Sequence, residues 1–195
     1  MKLLCMSDIH CEFERFDPEM MPEADVVIIA GDLTNFGNWR QHEYDKAKVW
    51  LNQLSENYQS VVWISGNHDN GISSNFTHTC CCIESHRWTL SNGMSIRGVS
   101  ETSLFGPNCF NWNMTSSKGQ QEETWSFPYV DIVVSHGPPF GICDNGLGSP
   151  YARAYIDKHH PKLFICGHIH EGAGEYQHYN TRVINVARRW VEVEI

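Results

Sequence analysis

The chain has 195 residues, 41% hydrophobic and 19% charged, a balance that excludes intrinsic disorder and suffices for one domain, residues 1–195, with a full core. Its 14 Lys and Arg against 23 Asp and Glu leave a net charge of −9, which argues against coating nucleic-acid backbone or cutting long polymer, though not against one small phosphate held by metal ions. No apolar run approaches the roughly 20 residues of a membrane span, and the opening six residues are too short for an export signal, so a cytoplasmic location is expected.

In chain order, Lys2 to Met6 is a short apolar run that stops at Ser7-Asp8-Ile9-His10. Val26 to Ala30 is β-branched and bounded by Gly31-Asp32. Both read as strands buried on two faces. Between Trp39 and Tyr58 the period changes: Tyr44, Ala47, Leu51, Leu54 and Tyr58 form the apolar stripe of a helix. Val61 to Ser65 is another buried strand, ending at Gly66-Asn67-His68-Asp69. This β-β-α-β start predicts parallel strands covered by a helix. Cys80, Cys81 and Cys82 are consecutive, and strand neighbours alternate faces, so a shared thiolate zinc site is disfavoured. All eight cysteines are expected as reduced thiols, with Cys5 and Cys166 buried in strands.

Trp88 to Val99 contains Asn92-Gly93, a hairpin signal, and Phe105 to Glu123 reads as a long loop with isolated aromatics Phe105, Phe110 and Trp112. Val130 to Val134 resumes the strand pattern and ends at Ser135-His136-Gly137. Ser149-Pro150 starts a helix that should run to His159, since a serine cap followed by proline suits a first turn. Leu163 to Cys166 is a buried strand ending at Gly167-His168-Ile169-His170, and shorter strands follow near Arg182 to Val186 and Val191 to Ile195.

Oxygen and nitrogen ligand types therefore gather at strand ends, where open α/β sheets bind their ligands. Asp8, His10, Asp32, Asn67, His136, His168 and His170 make up the set. Asp8 and His10 are two residues apart, which in extended chain points both the same way and turns Ile9 inward; His168 and His170 repeat the spacing. With Asp32 shared, seven ligands supply four donors to each of two ions. His42, His78, His86, His159, His160 and His178 read as surface or satisfied side chains.

Asp8-x-His10, Gly31-Asp32, Gly66-Asn67-His68-Asp69, His136 and Gly167-His168-x-His170 together resemble the motif set of the calcineurin-like metallophosphoesterases, in family order. The stretch Ser135 to Gly141, with Asp144, Gly148 and Ser149, is similar to small phosphodiesterase-type members. The resemblance implies an α/β fold of two packed, mainly mixed β-sheets flanked by helices, a four-layer sandwich. It implies one metal held by Asp8, His10, Asp32 and His170, and another held by Asp32, Asn67, His136 and His168.

The implied function is hydrolysis of small phosphodiesters or phosphomonoesters, cyclic nucleotides among them, by in-line attack of a hydroxide that the two cations generate. Oxygen and nitrogen ligation suits Mn, Fe, Zn, Co or Ni. His68, next to ligand Asn67, would protonate the leaving group or stabilise the phosphoryl oxygens. Asp69 would orient His68 or serve as a turn residue. Phe140 and Asp144 are expected to govern substrate preference. A phosphoprotein phosphatase and a non-catalytic metal-site scaffold are the competing readings.

Overall fold

The structure, a computed structural model, describes residues 1–72, 80–100, 102–103, 114–115 and 118–195. Strands β1 (Lys2–Met6) and β2 (Val26–Ala30) lead into helix α1 (Gln41–Asn57), followed by β3 (Val61–Ile64) and β4 (Cys81–Cys82). Next come β5 (Arg87–Thr89), β6 (Ser95–Val99), the short β7 (Thr102–Ser103) and β8 (Met114–Thr115), and helix α2 (Lys118–Thr124). The chain then forms β9 (Ile132–Ser135), α3 (Pro150–His159), β10 (Leu163–Cys166), β11 (Gly174–His178), β12 (Thr181–Asn185) and β13 (Trp190–Glu194).

The strands build two mixed sheets, in the orders β13-β1-β2-β3-β4 and β11-β12-β10-β9-β6-β5, and β7 and β8 pair as a separate two-stranded sheet. The central pairs are parallel, and the antiparallel pairs β13/β1, β11/β12 and β5/β6 lie at the sheet margins. Alternation along each strand divides the apolar side chains between layers. Leu3, Cys5, Ile28 and Ile64 meet Ile96, Val134, Ile165 and Ile184 between the two sheets. The opposite faces of β1 and β2 pack on α1 through Ala47, Trp50, Leu51 and Leu54. Val133, Phe164 and Val183 pack on α3 through Ala152, Tyr155 and Ile156. Helix, sheet, sheet and helix thus stack as the expected sandwich.

Local signals explain the boundaries. Ser149 Oγ accepts the Ala152 amide at 3.2 Å and Pro150 opens α3, while His160 closes it in the left-handed region. The hairpin at Gly93 forms, with Leu90 donating to the Met94 carbonyl across the turn. Two expectations need correction. The stretch read as a loop up to Glu123 ends in α2, and β4 and β11 add strands that no sequence pattern marks. The cysteine triple alternates as expected: Cys80 and Cys82 face the α1 side and Cys81 the inter-sheet core. Phe105, Phe110 and Trp112 lie outside the described residues.

One contact ties the second sheet together and gives it a measurable pH response. The Asp131 carboxylate accepts from the Ser95 amide at 2.9 Å and the Ser95 hydroxyl at 2.8 Å, and pairs with Lys162 at 3.0 Å. Burial would raise its pKa, but the Ser95 and Lys162 bonds outweigh that and hold it at about 2. A carboxyl depressed on folding stabilises above its unfolded pKa of about 4 and loses that contribution as pH falls towards 2. Asp131→Asn should therefore show a stability deficit at pH 6 that narrows between about pH 4 and 2. A deficit constant across that window in urea titrations would show that the charge is not the cause.

Candidate metal centre

The strand ends meet at one edge of the sandwich, and backbone bonds beyond the strands hold them in register. Asp8 donates to the Gly31 carbonyl, His10 to Asp32, His136 to Val99 and Gly167 to His136, each at 3.0 Å. The His168 amide reaches across from the second sheet to both Asp8 carboxylate oxygens, at 3.2 and 3.0 Å. The turns that carry the candidate ligands are therefore joined to one another as well as to their strands.

Extended geometry does not bring the paired residues together, contrary to the spacing argument. Asp8, His10, Asp32 and His168 have φ values of +55°, +48°, +55° and +67°, the left-handed region that costs a non-glycine residue on the order of 1 kcal/mol or more. His170 begins a short 3-10 turn. Ile9 is fully buried between Asp8 and His10, so that side chain does turn inward as expected, although along a different backbone path.

Three groups of potential donors result: Asp8 with His10 and His170, His10 with Asp32 and His68, and Asp32 with His136 and His168. His10 and Asp32 recur, so the groups form one continuous cluster. His170 Nε2 lies 3.0 Å from Asp8 Oδ1, and His136 Nε2 lies 3.2 Å from Asp32 Oδ2 and 3.0 Å from Asn67 Oδ1. All seven expected ligands are in this region, and His68 joins them with its ring edge-on to His10 at 4.9 Å.

Close approach here requires absent side chains. A Cβ on Gly66 would stand 2.6 Å from the Asp32 amide nitrogen and 2.7 Å from His136 Cε1. One on Gly31, at φ +95°, would stand 2.6 Å from His136 Nδ1.

The electrostatics suit cations. Asp8 and Asp32 are 1% and 2% exposed, and among the described residues their ion-pair partners are histidines. Burial opposes both charges, yet His170 and His136 hold Asp8 below its usual range, and His136 holds Asp32 below its own. His136 is buried, which disfavours its cation, but Asp32 overrides this and lifts it to about 9. Its Nδ1 donates to the Ala30 carbonyl at 2.7 Å, which aims Nε2 at the cluster. Burial and the neighbouring His136 push His168 down to about 4, leaving its imidazole neutral. His10 is also lowered by burial, and among the described residues its buried Nδ1 has no hydrogen-bond partner. Carboxylates, imidazoles and an amide oxygen, without thiolate, fit a dinuclear divalent-metal site, whose cations would displace the His136 proton.

Asp69 does not orient His68. Its carboxylate accepts from the amides of Leu33 (3.2 Å), Thr34 (2.9 Å) and Gly66 (2.9 Å), and from the Thr34 hydroxyl (3.0 Å). It is the buried hub of two ligand turns, and burial with the nearby Asp32 charge lifts its pKa to about 6. Asp69→Ala should cost about 1–3 kcal/mol by leaving buried amides unpaired, measured by urea unfolding. A cost under about 0.5 kcal/mol, the roughly neutral range for surface changes, would contradict the hub role.

The partner of His68 is one the sequence does not announce. Its Nδ1 meets the Asn35 carbonyl at 2.9 Å, and Asn35 Nδ2 donates to the His10 carbonyl at 3.2 Å. The Asn35 amide is held at 2.9 Å by Glu43, a 4%-exposed carboxylate in the first turn of α1. One signal was available: Glu43 lies four residues before Ala47, on the apolar stripe, where a carboxylate needs a buried partner. Asp144 is a buried anchor of its own loop. Its carboxylate accepts the Gly141, Gly146 and Gly148 amides at 2.8, 3.1 and 2.9 Å, so it shapes the loop after β9. Phe140 is 52% exposed on that loop.

Comparison with known proteins agrees with this geometry. Residues 1–172 match the calcineurin-like phosphoesterase family. Metallophosphoesterase domain-containing protein 1 of Homo sapiens is 27% identical over 220 aligned residues, covering 95% of this chain and 65% of the human protein. The chain thus spans about 65% of the length of that curated relative and of its Mus musculus counterpart. Among solved structures, TT1561 of Thermus thermophilus is similar with a TM-score of 0.67 at 16% identity, covering 94% of this chain and 88% of the other. A dimetal phosphatase from Danio rerio is similar at 0.64 and 12%, covering 95% and 86%.

Proposed function

The chain belongs to the calcineurin-like phosphoesterase family, and we propose that it is a metal-dependent hydrolase of small phosphodiesters or phosphomonoesters, cyclic nucleotides included. The observation that carries this reading is the continuous cluster in which His10 and Asp32 link the Asp8–His170 end to the His136–His168 end. Asp8, His10, Asp32 and His170 would hold one divalent cation. Asp32, Asn67, His136 and His168 would hold the other. Bound there, the pair supplies Lewis acidity and an activated water.

The protein's own groups do the rest. Asp32 is fixed by the His68 amide at 2.9 Å, so the shared carboxylate keeps its orientation. The Asn35 carbonyl accepts only, so His68 Nδ1 carries a hydrogen, and Nε2 is the nitrogen we assign to substrate. From that position His68, when its ring carries a hydrogen on both nitrogens, would donate the Nε2 hydrogen to the leaving oxygen or to the phosphoryl oxygens. A cytoplasmic setting is the companion proposal, supported by the unbridged state of the seven described cysteines. No helix among the described residues is long and apolar enough to cross a membrane.

The test is metal loading followed by hydrolysis of bis(p-nitrophenyl) phosphate. About two equivalents of Mn or Zn by elemental analysis, with activity that chelation removes, is the expected result. Two bound ions without hydrolysis of any phosphodiester, phosphomonoester or phosphopeptide would favour a scaffold, and phosphopeptides as sole substrates a protein phosphatase.

A further inference from the structure

Beside the metal centre lies a cleft of about 350 Å³ lined by Arg15, Phe16, Arg188, Arg189 and Trp190. Three of the chain's 14 cations line it, two of them paired with one acid, Glu12, on a protein of net charge −9. The cleft is coupled to the candidate centre through the backbone. The Arg188 amide donates to the Ser7 carbonyl at 3.0 Å, one residue before Asp8. Arg188 has a φ of +58°, a left-handed conformation held by that pairing.

The guanidinium groups are pre-arranged. Glu12, two residues after His10, pairs with both Arg188 and Arg15, and Arg15 Nη2 also donates to the Arg188 carbonyl at 3.4 Å. Arg189 Nη2 is held by the Asn185 carbonyl at 3.1 Å. Each guanidinium has five N–H donors, so these bonds leave donors to spare. Trp190, 38% exposed and edge-on to Phe16 at 6.0 Å, forms the apolar side of the cleft.

We propose that this cleft is a second anchor for substrate: it binds an anionic group, phosphoryl or carboxylate, on the alcohol portion of the phosphoester cleaved at the metal centre. The proposal rests on the phosphoesterase reading and narrows it to substrates with two separated anionic groups. Arginine suits the role because its planar fork meets an oxyanion with two parallel hydrogen bonds. Such a site discriminates chiefly through KM, since the anchored group takes no part in bond breaking.

Binding can be tested without metal. Protein dialysed free of metal should bind inorganic pyrophosphate by calorimetry, more weakly at high salt, and Arg188→Gln should weaken binding by about tenfold or more. Arg15→Gln, at an exposed position, is the second variant should Arg188→Gln fail to fold. No pyrophosphate binding, or binding unchanged in the folded variants, overturns the proposal.

With metal, KM for propane-1,3-diyl bisphosphate and 4-carboxybutyl phosphate should fall about tenfold or more below that for butyl phosphate, and the variants should erase the gap. A gap for only one acid identifies the phosphoryl or carboxylate group as the ligand. Equal KM values for charged and neutral esters overturn the link to substrate. Failure of the phosphoesterase reading would appear separately, as no wild-type hydrolysis of bis(p-nitrophenyl) phosphate under any metal.

Discussion

Replacing His68 by alanine is expected to lower kcat by about 10²–10⁴-fold, the usual range for a positioned acid, with both metals still bound. The His68 amide, which orients Asp32, survives the substitution, so the carboxylate keeps its place. What disappears is the ring that Asn35 holds through Nδ1. A general acid matters most when the leaving alkoxide is basic, so a poor leaving group such as an alkyl ester should lose far more rate than p-nitrophenolate. Equal losses for both would exclude proton donation and leave stabilisation of the phosphoryl oxygens. Elemental analysis gives an independent check. If His68→Ala loses an equivalent of metal, the His10–Asp32–His68 group is itself a ligand set and His68 is misassigned.

Gly66→Ala should be equally damaging by a different physical route. The added methyl group would overlap Asp32 Oδ1 and stand 2.6 Å from the Asp32 amide, so backbone as well as a ligand would have to move. Overpacking of this kind costs about 1–3 kcal/mol. For a chain of this size that is a fall in Tm of roughly 2–12 °C. Because the displaced atoms include Asp32 and the His136 ring, metal stoichiometry should drop below two in the folded fraction as well. Gly119→Ala, where a Cβ meets no atom within 4 Å, is the control and should be neutral or slightly stabilising in α2. Full metal content and unchanged Tm in Gly66→Ala would mean that the ligand turns are looser than they stand here.

Periodicity and composition sufficed for the frame. The stripe through Ala47, Leu51 and Leu54 set α1, and the Ser149-Pro150 pair set the start of α3, because helix faces and caps are local properties. Apolar runs such as Val26 to Ala30 mark strands buried on both faces, and these form the parallel centres of both sheets. The polar β11, exposed along most of its length, carries no such run and was not legible.

The ligand types were also written in the sequence, since Asp8, His10, Asp32, Asn67, His136, His168 and His170 each follow an apolar run. Their manner of convergence was not. Left-handed turns at Asp8, His10, Asp32 and His168 are maintained by bonds between turns far apart in sequence, such as the His168 amide to Asp8. For the same reason Asp69 went to four donors on neighbouring turns and Asn35 took the place beside His68. A side chain's preference for strand, helix or metal is set within a few residues. Its hydrogen-bond partner in a buried site depends on which donors and acceptors the packed sheets bring within about 3 Å, and only the tertiary structure decides that.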